Sequence, residues 1–253
     1  MGSVTFLGTG AALAGADREN SYLLVRGSQT TIMIDCAGAP AQRMAHVGMK
    51  LDAVDYLILT HHHPDHMYGY PLFVLNAWLQ GRKRALHVIG LEATLRAAET
   101  MLTASESEDW PHLFPIEYIP VNPKSIDLIL TTSDFTVSAT LGQHFVPTIA
   151  TRITERKTEH TMTYTSDTSP HDAIVELARD SDVLIHEATA KDGTSAGHST
   201  AVQAGMQARL ARAKQLIMIH VPPECDPKAW RAAAKKEFKG PVHVARDFEQ
   251  VKF

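Results

Sequence analysis

The chain has 253 residues, of which 44% are hydrophobic and 21% are charged, and its formal net charge is −4 at pH 7. This length suits one large α/β domain, so we expect a single domain over residues 1–253. The negative charge argues against a general basic surface for nucleic acid. Two distant cysteines, no targeting segment and no apolar run of membrane length predict a cytoplasmic protein with no membrane partner.

Apolar runs and helical spacing predict an alternation of strands and helices. The predicted strands cover residues 3–7, 23–25, 31–34, 54–59, 86–90, 116–119, 127–130, 135–141, 148–153, 162–165, 183–185, 216–219 and 242–245. The predicted helices cover residues 39–47, 68–79, 92–103, 172–179, 199–211 and 227–238. This order of elements suits two β-sheets packed face to face with helices outside.

Two connecting segments each admit two interpretations. The glycine-containing turn at residues 8–12 is either a plain turn or a loop beside a substrate. The acidic and aromatic segment at residues 104–115 is either a lid or rim of the site or an ordinary surface loop. We expect this second segment to set the size of the substrate.

The loop after the strand at 54–59 carries the densest group of metal-competent side chains. These are His61, His63, Asp65 and His66. His61 and His63 are two residues apart, so in an extended segment they point the same way and can chelate one ion. Asp65 and His66 follow a turn and can face a second position, which suggests two metals rather than one. The alternative is a solvated histidine-rich loop, and we expect His62 not to be a ligand.

Three later side chains lie directly beyond predicted strands. His144 follows the strand at 135–141, Asp167 follows the strand at 162–165, and His220 follows the strand at 216–219. Singly, each could be a capping aspartate or a histidine with ordinary hydrogen bonds. Two metals need more ligands than the first loop supplies, so we expect these three side chains to join it.

Several motifs together resemble a known family. Residues 60–66 resemble the Thr-His-x-His-x-Asp-His signature of the metallo-β-lactamase superfamily. Residues 186–189 are similar to the His-Glu-Ala-Thr motif of ribonuclease Z and its relatives, and residues 197–200 to that group's His-Ser-Thr motif. The resemblance runs from the first strand to about Pro222. It implies a four-layer αββα sandwich of two mixed β-sheets flanked by helices.

The resemblance to the phosphodiesterase branch of this superfamily also implies a ligand set. His61, His63 and His144 would hold one metal, Asp65, His66 and His220 the other, and Asp167 would bridge them. The usual metal is Zn²⁺, so we expect two Zn²⁺ ions, with Mn²⁺ or Fe as alternatives. Asp65 would orient a metal-bridged hydroxide that attacks phosphorus or a carbonyl carbon.

The same motifs supply candidates for proton transfer. If Glu187 meets His198, it holds the tautomer of His198 and raises its proton affinity. His198 could then stabilise the developing charge and protonate the leaving oxygen. The alternative is that both side chains merely pack around the ligands, as we expect for His186. In the superfamily, Asp35 resembles a buried support beneath the metal loop, although it could equally cap the helix that follows.

We expect a metal-dependent hydrolase with a dinuclear centre, acting on a small phosphodiester or a related ester. One group of ribonuclease Z enzymes carries a long tRNA-gripping arm between the positions of His144 and Asp167, where this chain has only a hairpin-sized link at residues 154–160. A ribonuclease Z-type tRNA 3′-end endonuclease is therefore an alternative, with nucleic acid the less favoured partner. Two further alternatives are a lactonase- or arylsulfatase-type ester hydrolase and a metal-binding sensor with little catalytic activity. The resemblance also suggests a homodimer.

Overall fold

A computed structural model describes residues 1–13 and 15–253, and these residues form two seven-stranded sheets. The first sheet has the spatial order β14 (Gln250–Lys252), β1 (Ser3–Gly8), β2 (Tyr22–Arg26), β3 (Thr31–Ile34), β4 (Tyr56–Leu59), β5 (Leu86–Leu91) and β6 (Ile116–Val121). The second has the order β13 (Val242–Val244), β12 (Leu216–Ile219), β11 (Val183–Glu187), β10 (Thr161–Tyr164), β9 (Ile149–Glu155), β8 (Phe135–Leu141) and β7 (Asp127–Thr131).

Both sheets are mixed. Strands β3 to β6 run parallel, while β14, β1, β2 and β3 pair antiparallel. In the second sheet β10 to β13 run parallel, while β7 to β10 pair antiparallel. The helices are α1 (Pro40–His46), α2 (Pro64–Met67), α3 (Tyr70–Leu79), α4 (Glu92–Thr103), α5 (Asp172–Leu177), α6 (Ala201–Leu210) and α7 (Pro227–Ala234).

Alternation along the strands separates the central core from the helix-facing layers. In β2, Leu23 and Val25 join the cluster that also holds Phe135 of the opposite sheet. Tyr22 and Leu24, the alternate residues, pack toward the helices of the first sheet. Helices α6 and α7 cover the outer face of the second sheet in the same way. Because successive strand residues point to opposite faces, this pattern builds the four layers, and the predicted αββα sandwich is confirmed.

Some elements differ from the sequence prediction. The sequence does not predict β14, because its Gln-Val-Lys run is extended only through pairing with β1, where Val251 lies opposite Val4. The predicted helix at 68–79 begins at Tyr70, after a separate short turn of helix, α2, inside the metal loop. Among the residues that the structure describes, no helix has the length and apolar character needed to cross a bilayer.

The segment 104–115 lies at the opposite end of the first sheet from the metal loop. Helix α4 starts beside the end of β5 and runs back toward its beginning. There the carbonyl of Pro115 accepts a hydrogen bond of 2.9 Å from the amide of Leu86. Trp110 stacks on Trp78, near the end of α3, at 5.2 Å between ring centroids. The expectation of a lid or rim that sets substrate size is therefore wrong, and the segment is an ordinary surface loop.

Candidate metal centre

The candidate ligands lie at one edge of the two packed sheets. Strand β4 leads into the loop that carries His61 to His66. Strands β8, β10 and β12 run in a common direction, and His144, Asp167 and His220 follow their ends. The amide of Ile149 donates a hydrogen bond of 3.1 Å to the carbonyl of Thr60, which joins the two sheets at this edge. The ends of parallel strands are where α/β sheets place their sites.

Three histidines form the first cluster. The ligand atoms of His61, His63 and His144 all lie within 4.8 Å of one another. Nδ1 of His63 is 3.2 Å from Nε2 of His61 and 3.0 Å from Nε2 of His144. Three imidazole nitrogens that converge on one point form a site typical of a first-row transition metal.

Asp65, His66, Asp167 and His220 form the second cluster, with ligand atoms again within 4.8 Å of one another. Oδ2 of Asp167 is 3.4 Å from Nε2 of His66 and 3.3 Å from Nε2 of His220. The same oxygen is 4.0 Å from Nε2 of His61, in the first cluster. The structure therefore brings all seven sequence-predicted ligands together, with Asp167 between the two groups.

Two orphaned polar atoms test whether these residues fit a cation. Among the described residues, Nε2 of His66 and Oδ1 of Asp167 are buried without any hydrogen-bond partner. Leaving such an atom unpaired costs about 1–3 kcal/mol. Both atoms belong to residues of the second cluster, and a cation held there would give Nε2 of His66 a partner. Imidazole and carboxylate donors at this density fit Zn²⁺ and its neighbours in the first transition row.

Burial and neighbouring charges control the ionisation of the clusters. Burial, reinforced by the charge of His66, holds the pKa of His61 well below its ordinary value, and burial also lowers the pKa of His63. Burial opposes ionisation of Asp167, but the charges of His220 and His66 outweigh it and hold the pKa of that carboxyl well below its usual range. The first cluster therefore presents neutral imidazoles, the form that binds metal, beside an ionised carboxylate.

Asp35 fixes the metal loop from beneath. Its fully buried carboxylate accepts hydrogen bonds from Nδ1 of His66 at 2.8 Å, from the amide of Thr60 at 2.8 Å and from the hydroxyl of Thr60 at 2.9 Å. Helix α1, which follows Asp35, has no side-chain cap at its N-terminal residue, Ala39. The structure therefore gives Asp35 the supporting position and not the capping one. Such contacts orient a ligand's ring toward a metal.

Other ligands are held in the same manner. Nδ1 of His144 donates to the carbonyl of Gly197 at 2.7 Å. Nδ1 of His220 lies 3.0 Å from the hydroxyl of Thr189. The hydroxyl of Thr60 lies 3.1 Å from Nδ1 of His61. Each of these imidazoles thus has one ring nitrogen occupied by protein and the other facing the centre.

The backbone is strained at three places around the centre. Asp35, Ser166 and His220 have φ angles of 62°, 52° and 53°, in the left-handed region. Each such residue costs about 1–3 kcal/mol, and the surrounding structure must hold it there. The hydroxyl of Ser166 helps to hold this conformation by donating a hydrogen bond of 2.9 Å to the hydroxyl of Thr60. Strain of this kind clusters at functional sites.

His198 and Glu187 meet beside the second cluster. Nδ1 of His198 is 3.1 Å from Oε1 of Glu187, whose side chain is fully buried. Burial opposes protonation of His198, but the hydrogen bond and charge of Glu187 outweigh it and raise the pKa of His198 above its ordinary value. His198 also stacks on the His220 ring at 5.5 Å between centroids. The pair is therefore in place to hold a proton next to the candidate ligands.

Thr189 is a contact point that sequence reasoning missed. The hydroxyl of Thr189 donates to Oε2 of Glu187 at 2.8 Å, and the oxygen of this hydroxyl lies 3.0 Å from Nδ1 of His220. The motif at 186–189 includes Thr189, but the sequence does not show that its hydroxyl spans the two groups. Nε2 of His186 instead donates to Oε1 of Gln207 in α6 at 2.6 Å, and among the described residues His186 belongs to no ligand group, as expected of a structural histidine. His62 is in none of the ligand groups formed by residues 1–13 and 15–253.

Comparison with known proteins places this chain in a family. A match to the family described as anti-Pycsar protein Apyc1 spans residues 2–240. The chain belongs to this family. The Apyc1-family chain is also 30% identical to the probable metallo-hydrolase YhfI of Bacillus subtilis (strain 168), with 96% of each chain covered. It is 32% identical to a ribonuclease Z of Methanopyrus kandleri, with 96% of this chain and 94% of the relative covered.

Solved structures agree with this assignment. The crystal structure of YhfI superposes with a TM-score of 0.84 and 25% identity, covering 99% of this chain and 98% of YhfI. The short form of human tRNase Z superposes with a TM-score of 0.82 over the same shares, and at 24% identity it shows the fold alone. The predicted membership of the metallo-β-lactamase superfamily, in its ribonuclease Z-like branch, is confirmed. This Apyc1-family chain is a metallo-hydrolase.

Proposed function

We propose that this chain hydrolyses small phosphodiesters with a pair of divalent metal ions, Zn²⁺ by first expectation and Mn²⁺ or Fe as alternatives. One observation carries the proposal. The first cluster of three histidines shares no residue with the second cluster, and Oδ2 of Asp167, a member of the second cluster, lies 3.3 Å from Nε2 of His220 and only 3.8 Å from Nε2 of His144 in the first. A single ion would leave one complete group unused.

The ligand assignment follows these two groups. His61, His63 and His144 would hold one ion, Asp65, His66 and His220 the other, and Asp167 both. A bound pair of ions supplies an activated water at neutral pH and neutralises charge on the phosphoryl group. Asp65 is 13% exposed, with Oδ2 3.4 Å from Nε2 of His220, so one of its oxygens can orient the attacking water.

His198 is the proposed proton donor. Because Nδ1 of His198 is bound to Glu187, the proton available for transfer is on Nε2. Glu187 itself is fixed by the amide of Thr168 at 3.0 Å and by the hydroxyl of Thr189. A proton held in this way can pass to the leaving oxygen as its bond to phosphorus breaks, which removes the need to expel an alkoxide.

A second candidate is a tRNA 3′-end endonuclease. The 32% identity to a ribonuclease Z over nearly the whole chain favours it. Two features favour small substrates instead. Strands β9 and β10 are joined only by residues 156–160, so no arm extends from this part of the described chain. The net charge of −4 is also unsuited to gripping a polyanion, because tRNA affinity depends on neutralising phosphates.

A substrate panel tests the proposal. Metal-loaded protein would be assayed against bis-p-nitrophenyl phosphate, cyclic nucleotides, lactones, aryl sulfates and a precursor tRNA. We expect turnover of small phosphodiesters that chelator abolishes and metal restores. Efficient 3′ trimming of precursor tRNA, with weak activity on small diesters, would favour the second candidate. Full activity of metal-free protein with chelator present would end the metal-dependent account.

A further inference from the structure

Phe145 is a large apolar side chain that is exposed beside the metal centre. It is 67% exposed, although its chain neighbour His144 belongs to the first ligand cluster. The ring centroid of Phe145 lies 5.2 Å from that of His144 and 6.1 Å from that of His198. A phenylalanine at this exposure forgoes most of the stabilisation that burial would bring. Most of the ring is therefore open to solvent beside the candidate ligands.

The local backbone fixes the position of this ring. Gly197 has a φ of +68°, and a Cβ added there would lie 2.6 Å from Cε2 of Phe145. The carbonyl of Gly197 accepts the hydrogen bond from Nδ1 of His144. The ring of Phe145 therefore lies against the Gly197 backbone, next to a ligand that the same residue holds. It is a pre-positioned aromatic surface at the mouth of the site.

We propose that Phe145 is a specificity-determining residue that stacks on a planar aromatic group of the substrate. This inference rests on the proposed function, in which the phosphoryl group lies at the two ligand clusters. The leaving oxygen then lies near His198, and the substituent that it carries lies within reach of Phe145. Aromatic rings attract one another at centroid distances of about 4.5–7 Å, in offset or edge-to-face arrangements.

The substrate class that follows is a phosphoester with an aromatic substituent. A nucleobase and a simple aryl ring present the same π-face, so both would stack on Phe145. A purely aliphatic phosphoester would use the metal centre but gain nothing from this ring. The discrimination should appear in binding, because stacking contributes to the ground state as well as to the transition state.

A binding experiment separates this inference from the catalytic proposal. Isothermal titration calorimetry on metal-loaded protein would compare phenyl phosphate, a nucleoside 5′-monophosphate and methyl phosphate. Phe145→Ala should weaken binding of the aromatic phosphates roughly 5- to 100-fold and leave methyl phosphate unchanged. Phe145→Tyr should retain wild-type selectivity. Leu79→Ala is a matched control, because Leu79 is 68% exposed at the far end of α3, and it should change none of the three.

If Phe145→Ala loses affinity selectively for phenyl phosphate, for the nucleotide or for both, the proposal is supported. Which of the two ligands loses affinity tells an aryl ring from a nucleobase. Equal loss for all three ligands would show that Phe145 only supports the loop of Gly197, and would overturn it. Unchanged affinity for all three ligands would also overturn the proposal. So would a changed oligomeric state of Phe145→Ala that is not accompanied by a selective loss of affinity for the aromatic phosphates. Selective binding by a protein that hydrolyses no phosphodiester would sink the proposed function alone. Hydrolysis of phosphodiesters without selective binding of aromatic phosphates would contradict this inference and leave the proposed function intact.

Discussion

Replacing Asp35 with alanine tests how the metal loop is held. The substitution removes the acceptor of three donors: the amide and hydroxyl of Thr60 and Nδ1 of His66. Asp35, Thr60 and His66 are all fully buried, so water cannot replace the carboxylate without opening the site. We therefore expect the Asp35→Ala protein to fold less stably and to bind metal more weakly.

The size of the effect follows from these contacts. An unpaired buried donor costs about 1–3 kcal/mol, so three donors give an upper range of about 3–9 kcal/mol. Relief from burying the carboxylate reduces this loss, while the left-handed φ of 62° strains aspartate and alanine alike and so changes it little. We expect a net loss of about 3–5 kcal/mol in the free energy of unfolding. Loss of the partner of His66 should also weaken metal binding roughly 10- to 100-fold.

Urea unfolding of the metal-free protein measures the first effect, and competition against a chromophoric chelator measures the second. Asp134→Ala is a matched control. The Asp134 carboxylate also accepts three hydrogen bonds, from the hydroxyl of Ser28 and from the amides of Gln29 and Thr30, at 2.6–2.7 Å. These contacts lie away from the metal centre, so the control should lower stability and leave metal affinity unchanged. Equal metal affinity in Asp35→Ala and wild type would refute the role assigned to Asp35.

Three further predictions concern the proton donor, the Thr189 hydroxyl and pH. His198→Ala should retain the metals and lose roughly 10²–10⁴-fold in kcat; an unchanged kcat at full metal content would remove its assigned role. Thr189→Val keeps the side-chain shape but loses the hydroxyl that lies between Glu187 and His220, so metal affinity should fall about 10-fold or more in a chelator competition, and equal affinity would argue against that contact. Burial opposes ionisation of Asp134, but its three hydrogen bonds outweigh it and hold its pKa below the ordinary value of 3.8. The ionised Asp134 carboxylate therefore contributes its full stabilisation at pH values above 3.8, and this contribution is lost as the pH falls through the lowered pKa. The urea midpoints of wild type and Asp134→Asn should therefore differ at pH 6 and converge in acid. A difference that stays constant with pH would contradict this direction.

The metal loop was the part of the site most open to sequence reasoning. Its four ligands lie within six residues after one strand, so local spacing was sufficient to identify them. His144, Asp167 and His220 needed the additional fact that β8, β10 and β12 run in the same direction. Spacing identified each as a residue beyond a strand, and the family resemblance supplied the expectation that they meet.

Features that depend on tertiary packing were out of reach. The two interpretations of Asp35 differ in whether its carboxylate contacts the amides that begin α1 or the donors of Thr60 and His66, and local sequence does not determine that contact. The position of residues 104–115 depends on the direction in which α4 returns along the sheet, and the prediction failed there. Phe145 looked like an ordinary residue of the His144 loop, because only the structure shows that its ring is exposed at the site.

The number and location of bound ions test the central claim most directly. Metal analysis of the purified protein, combined with anomalous diffraction from its crystals, would supply both. The account predicts two transition-metal ions per chain, one contacting His61, His63 and His144, the other contacting Asp65, His66 and His220, and Asp167 touching both. A single ion at full occupancy, or a pair of ions bound away from Asp167, would contradict it.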